Sequence, residues 1–156
     1  VRAVHAFADT LGHERLEVED AAVAALHFSN GSLGIIQAST AAYPGFKKRI
    51  EVSGTRGSAI IEEEDLKFWS FDPSQPEDER IRSDMAARTR TGGGAADPAA
   101  IGTHGHRRQY EELARALRDG RRPSVDAVEA RKAVAIILAV YRSVRSGEPV
   151  RLEERG

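Results

Sequence analysis

Alternating apolar and polar residues between positions 18 and 71 constrain the fold of this chain more than any other feature. Successive side chains of a β-strand point to opposite faces of a sheet, so such alternation is typical of half-buried strands. Residues 23–28 and 33–40 alternate on either side of Ser29-Asn30-Gly31-Ser32. Asn-Gly is a strong signal for a type I′ hairpin turn. The pattern therefore predicts an antiparallel hairpin here.

Further strands follow the hairpin. Residues 48–53 alternate, Gly54 and Gly57 bracket a tight turn, and residues 58–61 return antiparallel. Residues 66–71 predict one more strand. Short connections between consecutive strands favour an antiparallel over a parallel sheet. Because strands stand on both sides of it, the turn from Gly54 to Gly57 is not a dinucleotide-binding turn, which needs a helix after it.

Helical periodicity replaces this alternation in the last third of the chain. Tyr110, Leu113, Ala114 and Leu117 recur at the spacing of one apolar helix face, and Gly120 ends the segment. These residues predict an amphipathic helix with its apolar stripe turned inward.

A second helix begins after Asp126, which is followed three residues later by Glu129, a pairing typical of a helix N-terminus. Its residues 133–144 are apolar nearly all round, which predicts a well-buried helix, and Gly147 ends it. Residues 150–152 predict a final strand. Strands followed by helices indicate an α+β fold: a predominantly antiparallel sheet with two main helices packed on one face and the other face open.

Residues 72–103 interrupt both patterns. The segment contains Pro73, Pro76 and Pro98, three consecutive glycines and many charges. Loops of this length are commonly lids or disordered segments. We predict a mobile loop with one helical turn around residues 81–87.

Composition bounds the function. The 156 residues fit a single domain over 1–156, and 23 basic against 24 acidic residues leave no cationic excess to hold nucleic acid. The longest apolar run, residues 133–141, is too short to span a bilayer, so no membrane role is expected. The absence of Cys excludes disulfides and fits a cytoplasmic location.

Three stretches carry a family resemblance in this order of elements. They are Lys47-Lys48-Arg49-Ile50-Glu51-Val52-Ser53-Gly54-Thr55-Arg56-Gly57-Ser58, Arg121-Arg122-Pro123-Ser124-Val125-Asp126, and Tyr141-Arg142-Ser143-Val144-Arg145-Ser146-Gly147-Glu148-Pro149-Val150. Over nearly its whole length the chain resembles the C-terminal domain of the glucose–fructose oxidoreductase and inositol dehydrogenase family (Gfo/Idh/MocA). The resemblance implies the substrate-binding and oligomerisation half of an NAD(P)-dependent oxidoreductase that acts on a sugar, polyol or related hydroxy compound.

The resemblance also implies where the chemistry takes place. NAD or NADP is held by an N-terminal Rossmann domain, and a lysine or histidine upstream of Val1 handles the proton while hydride passes between substrate and nicotinamide. Those motifs match no position here, so we assign no catalytic, cofactor-binding or metal-binding residue and expect the chain alone to be inactive. Val1 opens directly in an alternating pattern, and the only methionine is Met85, which suggests a cut inside a longer polypeptide.

The loop from Ala41 to Lys47 concentrates aromatic and cationic groups between two strands. Matching the following Glu51-Val52-Ser53-Gly54 to inositol dehydrogenases implies that Phe46 stands where those enzymes place an active-site tyrosine. Phe46 lacks the hydroxyl, and Tyr43 is the alternative source of one. Tyr43, Phe46 and Lys47 are therefore candidates for a carbohydrate-like substrate pocket, and a turn with an aromatic plug is the alternative.

His104-Gly105-His106 precedes the first main helix. Two imidazoles with no third marked ligand are a poor metal site. The resemblance implies that His106 borders the substrate pocket, and an ordinary surface helix entry is the alternative.

The open sheet face is expected to hold Arg49, Glu51, Gln37 and Ser39 beside Leu33 and Ile35. Such a face is solvated, a subunit interface or a ligand floor. The resemblance implies a dimer or tetramer formed through it. A second hypothesis is a non-catalytic binding or scaffolding module of the same fold that self-associates through this face. A third is a family member that binds cofactor without reducing anything.

Overall fold

The structure, a computed structural model, describes residues 1–63, 65–86 and 104–152. Its elements are β1 (Ala3–Asp9), β2 (Ala21–His27), β3 (Leu33–Ser39), β4 (Arg49–Gly54), β5 (Gly57–Glu62), β6 (Asp65–Phe71), α1 (Pro76–Ala86), α2 (His104–Arg118), α3 (Ala127–Ser146) and β7 (Val150–Arg151). All strand pairs are antiparallel, so the predicted α+β class is confirmed.

The strands form two sheets. One has four strands in the order β3-β2-β1-β7, and the other has three in the order β4-β5-β6. The chain divides into two compact units, Val1–Ala42 with Glu111–Gly156 and Tyr43–Tyr110. We call them the four-stranded unit and the three-stranded unit.

The core lies on one face of the four-stranded sheet. Val4 pairs with Leu26 and Ala6 with Ala24 across β1 and β2, and all four side chains are buried. They pack with Ala139 of α3, in line with the period-two alternation of both strands. Removing this apolar surface from water stabilises the unit.

Ser143 of α3 is also fully buried in this core. Its Oγ accepts a hydrogen bond from the amide of Ala6 at 3.0 Å and donates one to the carbonyl oxygen of Glu148 at 2.8 Å. β7 pairs only with Ala3 and Val4, so Ser143 satisfies the β1 amide just beyond that short strand. Leaving this buried amide without a hydrogen-bond partner would lower the stability of the folded state.

The boundaries of α3 match the sequence prediction. Oδ1 of Asp126 accepts hydrogen bonds from the amides of Val128 and Glu129, and Gly147 ends the helix in the left-handed region at φ 69°. The carboxylate of Glu129 does not complete the expected reciprocal cap but pairs with Lys132.

Burial of the two main helices differs from the prediction. On α3, which packs against β1 and β7, Ile137 and Leu138 remain more than half exposed. On α2, Tyr110 and Leu117 are exposed and Ala116 is the buried residue. The prediction of a well-buried α3 was wrong at Ile137 and Leu138, because periodicity defines a face without defining what covers it.

The β2–β3 hairpin forms as predicted, but its turn is not type I′. That turn needs positive φ at both central residues, and of Asn30 and Gly31 only Gly31, at 88°, has it. The side chain of Asn30 accepts hydrogen bonds from the amide and hydroxyl of Ser32 instead.

The three-stranded unit contains no fully buried apolar side chain among its described residues. Its single buried residue there is Asp78 of α1, and α1 packs against β6. The prediction of a loop with one helical turn was wrong for residues 76–86, which form all of α1. Residues 87–103 of that predicted loop lie outside the described residues.

Candidate functional site

The loop between β3 and β4 presents the predicted substrate-pocket residues Tyr43, Phe46 and Lys47. Tyr43 is 95% exposed and Phe46 is 75% exposed, and Lys47 is exposed as well. The Tyr43–Pro44 peptide is cis and Gly45 has φ 93°. This exposure contradicts the alternative of an aromatic plug within the turn, because neither ring is packed away.

His106 lies on a different element, in the first turn of α2, where it is exposed. Tyr43, Phe46, Lys47 and His106 all belong to the three-stranded unit. The structure brings the first three together on one loop and leaves His106 on a helix.

The open face of the four-stranded sheet carries a group of exposed apolar side chains. Phe7 of β1 lies opposite Val23 of β2, and β3 contributes Leu33 and Ile35, which are 80% and 85% exposed. The ring of His5 lies 5.3 Å from that of Phe7. We call Phe7, Val23, Leu33 and Ile35 the open apolar face. Apolar side chains clustered on an exposed face are typical of interaction surfaces.

The composition of this face corrects one expectation. Gln37 and Ser39 lie on β3, but Arg49 and Glu51 lie on β4, which belongs to the other sheet. Arg49 and Glu51 form an ion pair at 2.8 Å on their own strand. The alternation was read correctly, but the sheet partner of each strand is a tertiary property that alternation does not specify.

An open pocket of about 620 Å³ lies in the three-stranded unit, where the β4–β5 turn, the end of β6 and the start of α1 meet. Its lining includes Arg56, Trp69, Phe71, Asp72, Gln75 and Asp78. Gly57 permits this arrangement, since a Cβ there would lie 2.4 Å from Cδ1 of Phe71.

Asp78 fixes the wall of this pocket. Its Oδ1 accepts a hydrogen bond from the indole Nε1 of Trp69 at 2.9 Å, and its Oδ2 accepts one from the amide of Gln75 at 2.7 Å. These bonds, first that of Gln75 and then that of Trp69, lower the pKa of Asp78 below its ordinary value of 3.8. The carboxylate therefore stays charged at neutral pH, and it positions the indole through Oδ1 and the backbone before α1 through Oδ2.

Two other carboxylates are held in the four-stranded unit. Oxygens of Asp20 accept hydrogen bonds from the amides of Leu11, Gly12 and His13, and the bond from Leu11 is the largest cause of its lowered pKa. Glu112 accepts a two-bond contact from Arg121, at 2.8 and 2.9 Å, which lowers its pKa. Both groups fix local loops, and their oxygens are engaged within the chain.

The described residues contain no group of three or more His, Asp or Glu placed to hold an ion. The turn between Gly54 and Gly57 joins two antiparallel strands, so it offers no helix N-terminus to a pyrophosphate. No described helix is long and apolar enough to cross a membrane.

The described residues form an α+β domain with two antiparallel sheets and three helices. The sequence profile described as "Oxidoreductase family, C-terminal alpha/beta domain", that of the Gfo/Idh/MocA enzymes, matches residues 1–152. The chain belongs to this family, and the resemblance inferred from the sequence is confirmed.

Solved structures agree with this assignment. The WlbA dehydrogenase from Bordetella pertussis, in complex with NADH and UDP-GlcNAcA, superimposes with a TM-score of 0.80 at 26% identity, covering 99% of this chain and 42% of that one. Levoglucosan dehydrogenase with NADH and L-sorbose gives 0.71 at 20%, covering 99% and 45%. Aldose-aldose oxidoreductase from Caulobacter crescentus complexed with glycerol gives 0.65 at 22%, covering 97% and 41%.

The chain thus spans less than half the length of these solved relatives. The two matches below 25% identity show the fold alone. A comparison with curated protein sequences found no match.

Sequence reasoning missed the pocket beside α1. Trp69 and Phe71 were assigned to a strand, and Asp78 fell in the predicted loop. The acidic run Glu77-Asp78-Glu79 directly after Pro76 was an available signal, because proline and acidic residues favour the first turn of a helix.

Proposed function

We propose that this chain is the substrate-binding and oligomerisation domain of an NAD(P)-dependent oxidoreductase acting on a sugar, polyol or related hydroxy compound. The family match over residues 1–152 carries the proposal. The NADH and UDP-GlcNAcA bound by the WlbA dehydrogenase from Bordetella pertussis, at 26% identity, support the cofactor and substrate classes. We place the protein in the cytoplasm.

Cofactor binding is proposed for a Rossmann domain outside this chain, because the family match over residues 1–152 is to a C-terminal domain. Catalysis needs the cofactor positioned against the reacting carbon of the substrate. The chain alone is therefore expected to be inactive, and its residues contribute substrate binding.

The loop residues supply what a polyhydroxylated substrate needs. The hydroxyl of Tyr43 can donate and accept hydrogen bonds, the ring of Phe46 offers an apolar surface, and Lys47 offers three donors. Their exposure leaves these groups available. His106 is assigned to the same pocket on the strength of the family resemblance.

Steady-state kinetics of the intact protein test this assignment with a panel of sugars and polyols. Tyr43→Phe and Lys47→Ala are expected to raise KM about threefold to tenfold each, the loss of about one hydrogen bond, with kcat nearly unchanged. Tyr110→Phe, which alters another exposed tyrosine, on α2, is the control. An unchanged KM in both loop variants would remove the loop from the pocket.

Self-association is proposed through the open apolar face. Antiparallel sheets tolerate one wet face when that face is polar, whereas Leu33 and Ile35 are four-fifths or more exposed here. A second copy facing the same surface buries these side chains on both subunits, as a two-fold interface requires.

Sedimentation velocity of the intact protein tests this interface. Ile35→Glu places a charge in the centre of the open apolar face and is expected to shift the protein to a smaller species. Val125→Glu, at an exposed apolar site before α3, serves as the matched control. An unchanged sedimentation coefficient in Ile35→Glu, with an unchanged circular dichroism spectrum, would exclude the face as the interface.

The same two assays distinguish the hypothesis of a non-catalytic scaffold from that of an enzyme. An intact protein that self-associates but neither oxidises nor reduces any compound of the panel with NAD(H) or NADP(H) would replace the enzyme proposal with the scaffold.

A further inference from the structure

We propose that the pocket beside α1 binds a neutral polyhydroxylated ligand, namely a saccharide or cyclitol. The pocket, formed by the β4–β5 turn, the end of β6 and the start of α1, lies wholly within the three-stranded unit. The proposal is independent of the oxidoreductase function.

The size and lining of the pocket suit a small ligand. Its volume of about 620 Å³ falls within the range of roughly 300–1,000 Å³ typical of ligand sites. Trp69 and Phe71 supply its aromatic surface, with ring centroids 4.8 Å apart. Rings of this kind pack against the C–H face of a sugar by removing apolar surface from water.

Internal hydrogen bonds hold the aromatic wall rigid. The indole N–H of Trp69 is bound to Asp78, and Arg82 donates to the carbonyl oxygen of Trp69 at 3.1 Å. The guanidinium Nε of Arg56 donates to the carbonyl oxygen of Asp72 at 3.3 Å, and the amide of Asp72 donates to the carbonyl oxygen of Arg56 at 2.8 Å. The wall is thus preorganised, which reduces the entropy cost of binding.

Three polar groups of the pocket keep unused hydrogen-bonding capacity in the part of the chain that the structure describes. They are the Nη atoms of Arg56, the carboxylate of Asp72 and Oε1 of Gln75, whose Nε2 donates to the carbonyl oxygen of Pro73. Arg56 offers only donors, and the two oxygen groups offer only acceptors. Sugar hydroxyls both donate and accept, so one ligand can engage all three.

The charges of the pocket select against ionic ligands. Asp72 and Asp78 line it, and Glu77 and Glu79 stand in the adjoining first turn of α1, which disfavours an anion. The guanidinium of Arg56, which lies beside Asp72, disfavours a cation in the same pocket. A neutral ligand that uses both donors and acceptors meets neither repulsion.

Fluorine NMR of the intact protein labelled with 5-fluorotryptophan tests the proposal. Trp69 is the only tryptophan of this chain, and Trp69→Phe identifies its signal. Glucose and myo-inositol are expected to shift this signal with millimolar affinity, whereas inorganic phosphate and tetramethylammonium leave it in place.

Substituting the side chains that keep free hydrogen-bonding capacity tests whether the ligand binds in this pocket. Asp72→Ala and Gln75→Ala alter exposed side chains and are each expected to weaken binding about threefold to tenfold. Asp84→Ala, on the exposed part of α1, is the matched control and is expected to leave the affinity unchanged.

Three outcomes would overturn the proposal. One is no shift of the Trp69 signal by either polyol up to about 100 mM, a hundredfold above a 1 mM dissociation constant. Another is a shift by phosphate or tetramethylammonium in their place. The third is an unchanged affinity in both Asp72→Ala and Gln75→Ala. Because the signal is local, turnover elsewhere in the protein does not affect the result.

Discussion

The two units of this chain differ in how each is packed internally. In the four-stranded unit, Val4, Ala6, Ala24 and Leu26 are buried against α3. In the three-stranded unit the described strands are exposed or half-buried throughout, and the buried residue is a carboxylate, Asp78. The first unit buries apolar side chains fully against α3, whereas the described strands of the second unit bury theirs only in part.

The comparison bears on function. Units with few buried apolar contacts open at lower free energy than core elements, and binding regions are commonly drawn from them. Both the proposed substrate loop and the proposed polyol pocket lie in the three-stranded unit. The open apolar face, proposed for self-association, lies on the better packed unit.

The largest expected effect on stability comes from substitution in the apolar core of the four-stranded unit. Leu26→Ala removes a buried side chain, and we expect the opening free energy of residues 21–27 to fall by about 2–5 kcal/mol. Hydrogen exchange of the intact protein measures this locally. Leu11→Ala, at an exposed site of the same unit, is expected to stay within about 0.5 kcal/mol. Equal losses in the two variants would contradict an apolar basis for this unit.

A smaller effect on stability is expected at Gly57, whose backbone lies close to Phe71 in the three-stranded unit. Gly57 has φ 153°, and a Cβ would lie 2.4 Å from both Cδ1 of Phe71 and the carbonyl oxygen of Ser70. Gly57→Ala should therefore lower the opening free energy of residues 57–71 by about 1–3 kcal/mol. Gly54→Ala, in the same turn with its nearest atom at 3.7 Å, is the control. Loss of protection in residues 21–27 as well would mean that the units do not open separately.

The smallest expected effect on stability appears only at acidic pH. Because the folded-state pKa of Asp78 lies below its ordinary value of 3.8, its contribution to stability is present above pH 3.8 and is lost as the pH falls through the folded-state pKa. We expect the fluorine signal of Trp69 to move toward that of the unfolded chain below about pH 3.8. Asp78→Asn should abolish this acid dependence, and exposed Asp84→Asn should retain it. An acid transition that survives Asp78→Asn would assign the transition to another group.

Local pattern predicted most of the elements of this chain. Alternation located β2 to β6 because side-chain direction follows from backbone geometry alone. Asp126 and Gly147 located the ends of α3 because capping is a contact between near neighbours in the sequence. The family also followed from the order of these elements and their connecting motifs.

The candidate site was predicted less completely. Tyr43, Phe46 and Lys47 were recognisable as an aromatic and cationic loop, and the structure finds them exposed. The pocket beside α1 joins Arg56 in a turn, Trp69 at the end of a strand and Gln75 before a helix. The acidic run after Pro76 indicates the start of α1. Arg56, Trp69 and Gln75 meet only through the pairing of β5 with β6 and the packing of α1, so no local pattern predicts that they line one pocket.

The sequence by itself determined the α+β class, the strand order along the chain and the family, because these depend on periodicity and short-range motifs. Only the tertiary structure decided that the strands divide into two sheets, which separates Arg49 and Glu51 from Gln37 and Ser39. It also decided that Tyr110 and Ile137 stay exposed despite their apolar character. Which strands pair, and what packs over a helix, depend on contacts between residues distant in sequence. A one-dimensional pattern defines the face of an element but not what lies against that face.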